Sequence, residues 1–176
     1  MFSARSLPGL PPYGPRAKSF PDPDAFREGF VVEFALNDDE VWVGNFAGSS
    51  DCCECSIQTE LGSRAVVVVA GSHGYIVDLH ERRLVHEIGP SIESIWFDND
   101  LQVMIVTNGL WFEALDAQGV VWRSRRFSWD GMRKVAKSGR ILVGEAYDPV
   151  SDTWLPFRLH LETGEVEGGS YNGPDI

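Results

Sequence analysis

At 176 residues, 43% of them hydrophobic, the chain is long enough for one well-buried domain and too apolar for a disordered segment. A net charge of −11 argues against nucleic acid and anionic membrane as partners. No uninterrupted apolar run approaches the roughly 18 residues a membrane span needs.

The first stretch, "MFSARSLPGLPPYGPRAKSFPDPD", lacks a signal-peptide apolar core and is broken by Pro, so residues 1–28 read as a Pro-rich extension. A single β-repeat domain is expected over 29–176. Eighteen Gly and ten Pro, with little helical periodicity, favour turn-rich β structure from there on. Next comes "CCEC" (Cys52, Cys53, Cys55), three thiols with no distant partner for a framework disulfide, which fits a reducing cytoplasm.

One pattern then recurs: Leu, a four-residue polar turn, and a branched apolar residue. It stands at Leu36-"NDDE"-Val41, Leu79-"HERR"-Leu84, Leu115-"DAQG"-Val120 and Leu161-"ETGE"-Val166, the Leu anchors lying 43, 36 and 46 residues apart. Alternating residues flank each turn, and Asp, Asn and Gly suit hairpin connections. The intervals match a propeller blade of about 40–45 residues and four strands. Further strands are expected at Cys55–Leu61, Arg64–Gly71, Ser91–Phe97, Leu101–Thr107, Gly131–Lys137 and Arg140–Tyr147. The run "VVVVA" (Val66–Ala70), apolar on both faces, reads as an inner strand between sheets. The expected fold is all-β, antiparallel meanders in repeated propeller-like blades, with a curled β-sandwich as the alternative and the Pro-rich N-terminus as a candidate closing element. Helix should stay below about a quarter of the residues.

"LDAQGVVW" and "LETGEV" resemble the outer hairpins of quinoprotein-type and WD-type propellers, a likeness that implies fold and not chemistry. "WVGNF" (Trp42–Phe46), "SWDGM" (Ser128–Met132) and "YDPVSDTWLPFRLHLETGEVEGGSY" (Tyr147–Tyr171) are similar to segments of a group of small bacterial proteins without an established activity. That resemblance, over roughly residues 30–171, implies a bacterial, cytoplasmic protein and supplies no catalytic residue.

Few constellations carry chemistry. "HERRLVH" lacks the second His at i+4 that a zinc-protease helix requires. Cys52 and Cys55, with His73, His80 or His86, form only one weak zinc set, since a second spaced pair is missing. Ser72 and His73 in "AGSHG" read as a turn, and no phosphate-binding Gly-rich motif occurs. No cofactor is expected.

The most informative segment is basic. From 123 to 140, Arg123, Arg125, Arg126, Arg133, Lys134, Lys137 and Arg140 face Asp130 alone, a local charge of +6 in an acidic chain. Internal charge complementarity accounts for such a stretch, with Trp129 in the core and Asp130-Gly131 a turn. A pocket for an anion or a partner peptide is the functional reading. The loop "AYDPVSDTW" adds Asp148, Asp152 and Trp154, either as a turn or as two carboxylates for a cation. The candidate binding residues are therefore Arg123, Arg125, Arg126, Trp129, Asp130, Asp148 and Trp154. The expected function is a non-enzymatic module binding another protein, such as an immunity protein occluding a basic toxin site. An enzyme acting on a small anion at 123–140 is the alternative.

Overall fold

The structure, a computed structural model, describes residues 2–25, 27–37, 40–48 and 55–174. Strand takes 53% of it and helix none, so the fold is all-β, and no helix is long and apolar enough to cross a membrane. Four four-stranded sheets form the repeated blades.

The first sheet contains β1 (Ser3–Leu7), β2 (Lys18–Phe20), β3 (Phe30–Ala35) and β4 (Val41–Phe46), in the order β1-β3-β4-β2. The second, β5 (Ser56–Gln58), β6 (Ala65–Ala70), β7 (His73–Asp78) and β8 (Arg83–Ile88), is a plain meander. So are the third, β9 (Ser94–Asp98), β10 (Val103–Thr107), β11 (Phe112–Asp116) and β12 (Gly119–Arg123), and the fourth, β13 (Met132–Ser138), β14 (Ile141–Asp148), β15 (Thr153–His160) and β16 (Val166–Gly168). Each Leu-turn-apolar pattern falls at a hairpin, β3–β4, β7–β8, β11–β12 and β15–β16. The first and last are closed by backbone bonds from Leu36 to Glu40 and from His160 to Glu165, both 2.9 Å. β6 is buried along its whole length, as its unbroken apolar run requires.

The N-terminal segment differs from the sequence reading. Residues 1–28 are not an extension: β1 pairs antiparallel with β3, and β2 runs parallel to β4, so they supply both edges of the first sheet. Phe20 is the anchor, 5% exposed and stacked on Phe46 with ring centroids 5.0 Å apart. "SARSL" carries too little apolar character to announce a strand, because an edge strand buries so little of itself. The chain divides into two compact units, 1–91 with Ala117–Gly119, and 92–116 with 120–176. Each unit closes around its own apolar cluster, which concentrates contacts within it.

The first unit packs Phe20, Phe34, Trp42, Phe46 and Tyr75 against Val66, Val68 and Val77. The second packs Phe112, Phe127 and Phe157 against Val103, Ile105, Leu142 and Leu159. Phe127 lies 4.7 Å from Phe157 and 6.0 Å from Phe112, ring to ring. Trp129 is not the core residue expected: it is 43% exposed, while Phe127 is fully buried. Its neighbours Asp130 and Gly131 do form a turn, with Gly131 at φ +86°.

A buried aspartate ends one strand in each unit and caps the turn that follows. Asp78 accepts the amides of His80 and Glu81 at 3.0 and 2.9 Å and pairs with Arg64 at 2.8 Å. Asp98 accepts the amides of Asp100 and Leu101 at 3.0 and 3.2 Å and pairs with Lys137 at 2.8 Å. Burial alone pushes both carboxyls up. For Asp78 the Glu81 amide, the Arg64 guanidinium and the His80 amide outweigh it. For Asp98 the Lys137 ammonium and the amides of Leu101 and Asp100 do so, and both carboxyls end below the ordinary range. Their stabilisation is therefore complete above the unfolded value of about 3.9 and is lost as pH falls through the lower folded values. Thermal melts should decline below about pH 4. The double variant Asp78→Asn/Asp98→Asn should melt lower at neutral pH and show a shallower acid limb. An unchanged acid limb would assign acid sensitivity to other carboxyls.

Candidate functional site

Three segments distant in the sequence meet at one end of the fourth sheet: 125–131, 147–154 and 168–171. β13 begins there, β14 and β15 turn there, and the chain leaving β16 returns there to meet Phe127. The Phe127 carbonyl accepts the amides of Ser170 at 2.8 Å and Tyr171 at 3.0 Å. Ser170 is the central tie, its hydroxyl donating to the Tyr147 carbonyl at 2.6 Å and accepting the Trp129 amide at 3.1 Å. Ser128 donates to the Gly131 carbonyl at 2.6 Å, and the Tyr147 amide reaches the same carbonyl at 3.2 Å.

Two arginines lock this end through backbone carbonyls. Arg125 donates to Arg126 at 3.1 Å, Tyr171 at 2.9 Å and Gly168 at 2.8 Å. Arg126 donates to Ser128 at 3.1 Å and Trp129 at 3.0 Å. Its guanidinium sits 4.5 Å above the Tyr171 ring and 5.6 Å from that of Trp129, and the two rings meet edge-on at 4.8 Å. Trp129 is thus held on three sides while its remaining surface faces solvent, next to the exposed Asp130.

The β14–β15 turn has its own order. Asp148 accepts the Val150 amide at 3.0 Å and the Ser151 hydroxyl at 2.7 Å, and those two donors hold its carboxyl below the ordinary range. Tyr147 donates to Asp152 at 2.7 Å. That bond, then burial, then the charges of Asp152, Asp130 and Asp148 push the phenol up, which places three carboxylates in one local field. The turn leaves Val150 86% exposed. Trp154 packs against Tyr147 at 5.0 Å and beneath Arg133 at 4.2 Å.

Six of the residues singled out from sequence, Arg125, Arg126, Trp129, Asp130, Asp148 and Trp154, therefore belong to this end. Arg123 stands apart on β12, ion-paired with Glu113 and 5.9 Å over Trp111. With Arg125, His160, Glu165 and Glu167 it lines an open groove of about 520 Å³. Val150, Ser170 and Tyr171 were missed, although Ser170 and Tyr171 lie in the quoted "GGSY".

Every cation of 123–140 has a partner within its own unit, five of the seven through carboxylates and two through backbone carbonyls. Arg133 and Lys134 meet Glu145 at 2.6 and 3.1 Å, Lys137 meets Asp98 and Asp100 at 2.8 and 2.7 Å, and Arg140 pairs with Glu162. Arg123 has Glu113, and Arg125 and Arg126 have their carbonyls. Asp148 likewise directs both oxygens into its own turn. Ser128 and Ser170 donate to carbonyls, so neither is posed as a nucleophile beside a base. Cys52 and Cys53 lie outside the described residues, Cys55 is a free, exposed thiol, and no group of three or more metal-ligating side chains occurs among the described residues.

No family model and no curated protein matches the chain. Solved structures do. A eukaryotic initiation factor aligns at 14% identity and TM-score 0.40, over 78% of this chain and 39% of that one. The hydrazine synthase of Kuenenia stuttgartiensis aligns at 14% and 0.44, over 77% and 41%. The WD40 beta propeller domain of Doa1 aligns at 13% and 0.40, over 77% and 46%. The chain spans less than half the length of each.

Proposed function

We propose that the chain is a protein-binding module of a bacterial cytoplasm, presenting the Trp129 end of the fourth sheet to a basic protein surface. The observation that carries this reading is an exposed tryptophan fixed by its neighbours: Trp129 is 43% exposed, yet its ring meets Tyr171 and its amide meets Ser170. A large aromatic already ordered before binding loses little entropy on docking, which is how interface anchors concentrate affinity. Val150 stands 86% exposed on the β14–β15 turn, and the charges of Asp130, Asp148 and Asp152 all reach Tyr147 at this end of a chain of −11. A basic site, such as that of a toxin held by its immunity protein, is complementary to that pattern. The enzyme alternative draws less support, because the cations of 123–140 already have partners within the chain.

Trp129→Ala tests this directly. The partner captured by the intact chain from its host, once purified, should bind the variant about 30-fold more weakly, the loss of a hot spot worth about 2 kcal/mol. The melting temperature should move little, because the core residue here is Phe127. An unchanged affinity at unchanged stability overturns the proposal.

A further inference from the structure

We propose that the outer edge of β1 takes an extended segment of a partner protein, which joins the first sheet as its missing first strand. The repeat sets the place. The Leu-turn hairpins are equivalent, so β3, β7, β11 and β15 hold the same position in their sheets. Beside each lies one antiparallel strand, β1, β6, β10 or β14. Beyond these, β5, β9 and β13 come first in the second, third and fourth sheets. The first sheet has no strand there among the described residues, because β2 lies at the opposite edge, parallel to β4.

Burial records the difference. No residue of β6, β10 or β14 is exposed, whereas Ser3, Arg5 and Ser6 of β1 are. The devices that commonly block an edge are also missing. β1 contains no Pro, Lys or Gly, and its register with β3 runs unbroken from Ser3 to Leu7. Its one charged side chain, Arg5, is turned to Glu33 on the neighbouring strand. The edge therefore offers backbone N–H and C=O groups to another chain, the mode in which extended peptides add to sheets.

The three first strands define the chemistry of the occupant. Each sets a large apolar side chain against the apolar cluster of its own unit: Ile57 on β5, Trp96 on β9 and Met132 on β13. Each of these is paired with a core residue of the second strand, Val68, Ile105 and Ala146 in turn. On β1 the corresponding residue is Ala4, which packs on the first unit's cluster and pairs with Phe34. The partner segment should run antiparallel to β1 along Ser3–Leu7, with a large apolar residue opposite Ala4. Backbone bonds supply affinity there, and that one side chain supplies selectivity.

The proposal is independent of the Trp129 reading. The probe is a synthetic peptide copying β9 with its flanks, residues Ile92–Asn99, added to the intact chain. It should bind saturably below about 1 mM and slow amide exchange along β1. Methylating alternate backbone nitrogens of the peptide separates edge pairing from loose apolar contact. One alternate set removes the donors that face β1 and should weaken binding at least ~10-fold, while the other set leaves it unchanged. Trp96→Asp in the peptide should also weaken binding. A chain carrying the same segment ahead of Ser3 through an Asn-Gly turn should melt higher and no longer take the peptide. If that extended chain fails to fold, the methylated peptides decide alone. Absence of binding, protection elsewhere than β1, equal weakening by both methylated sets, or undiminished binding by a folded extended chain overturns the proposal. A mass that doubles with concentration without peptide, with β1 protected, would give the edge to a second copy and overturn it as well.

Discussion

Phe127→Ala is expected to cost about 3–5 kcal/mol, enough to remove much of the margin of a domain whose total stability is about 5–15 kcal/mol. Phe127 is 0% exposed and lies between Phe112 and Phe157, which in turn meet at 6.3 Å. Truncation removes its buried area and leaves a cavity that rings fixed on β11 and β15 close only in part. The backbone carbonyl that receives Ser170 and Tyr171 survives in the variant, so the measurement isolates the side chain. Urea denaturation should show a lower midpoint at nearly unchanged slope. Trp129→Ala provides the contrast: on the sequence reading, with Trp129 in the core, it too would cost several kcal/mol. A cost below about 1 kcal/mol for Phe127→Ala, against a larger one for Trp129→Ala, would restore that reading.

The meanders were legible because their determinants are local. Period-two alternation around Leu115 or Leu161, and Asp, Asn or Gly in the turns between, state both the strands and the reversal within a dozen residues. β1 and β2 were not, since an edge strand such as "SARSL" is defined by the partner it finds, here β3, rather than by its own apolar content. The candidate site was half legible for a similar reason. Arg125, Arg126 and Trp129 stand out by residue type, but what they do depends on a segment about forty positions later: the Gly168 and Tyr171 carbonyls for Arg125, the Tyr171 ring for Arg126, and the Ser170 hydroxyl and Tyr171 ring for Trp129. The same applies to charge. Composition shows +6 over 123–140, whereas the acids that pair with five of its seven cations, Asp98, Asp100, Glu113, Glu145 and Glu162, come from neighbouring strands and turns that only the fold brings close. By residue type a tryptophan reads as core, whereas the buried ring here is that of Phe127. The backbone there leaves the sheet to meet the returning C-terminal segment.

That returning segment makes Gly169→Ala the second severe substitution. Gly169 has φ +93°, where an L side chain costs about 1–2 kcal/mol from backbone sterics alone. Space is also lacking: a Cβ there would lie 2.4 Å from the Phe127 carbonyl oxygen, which is the acceptor for Ser170 and Tyr171. The methyl group can be housed only by moving that backbone away, and each amide bond then lost costs about 1 kcal/mol more. The expected total is about 3 kcal/mol, comparable with losing a core ring. The damage should reach the site as well. Once the 168–171 segment shifts, Ser170 no longer holds the Trp129 amide and the Tyr147 carbonyl, and Arg125 loses its carbonyls at Gly168 and Tyr171. Amide exchange at Ser170 and Tyr171 should accelerate even under conditions where the rest of the second unit stays protected. Partner affinity should fall although Trp129 itself is intact, because the anchor is no longer ordered in advance. A Gly169→Ala protein with native stability and slow exchange at those two amides would show that the Phe127 carbonyl is not what holds this end together.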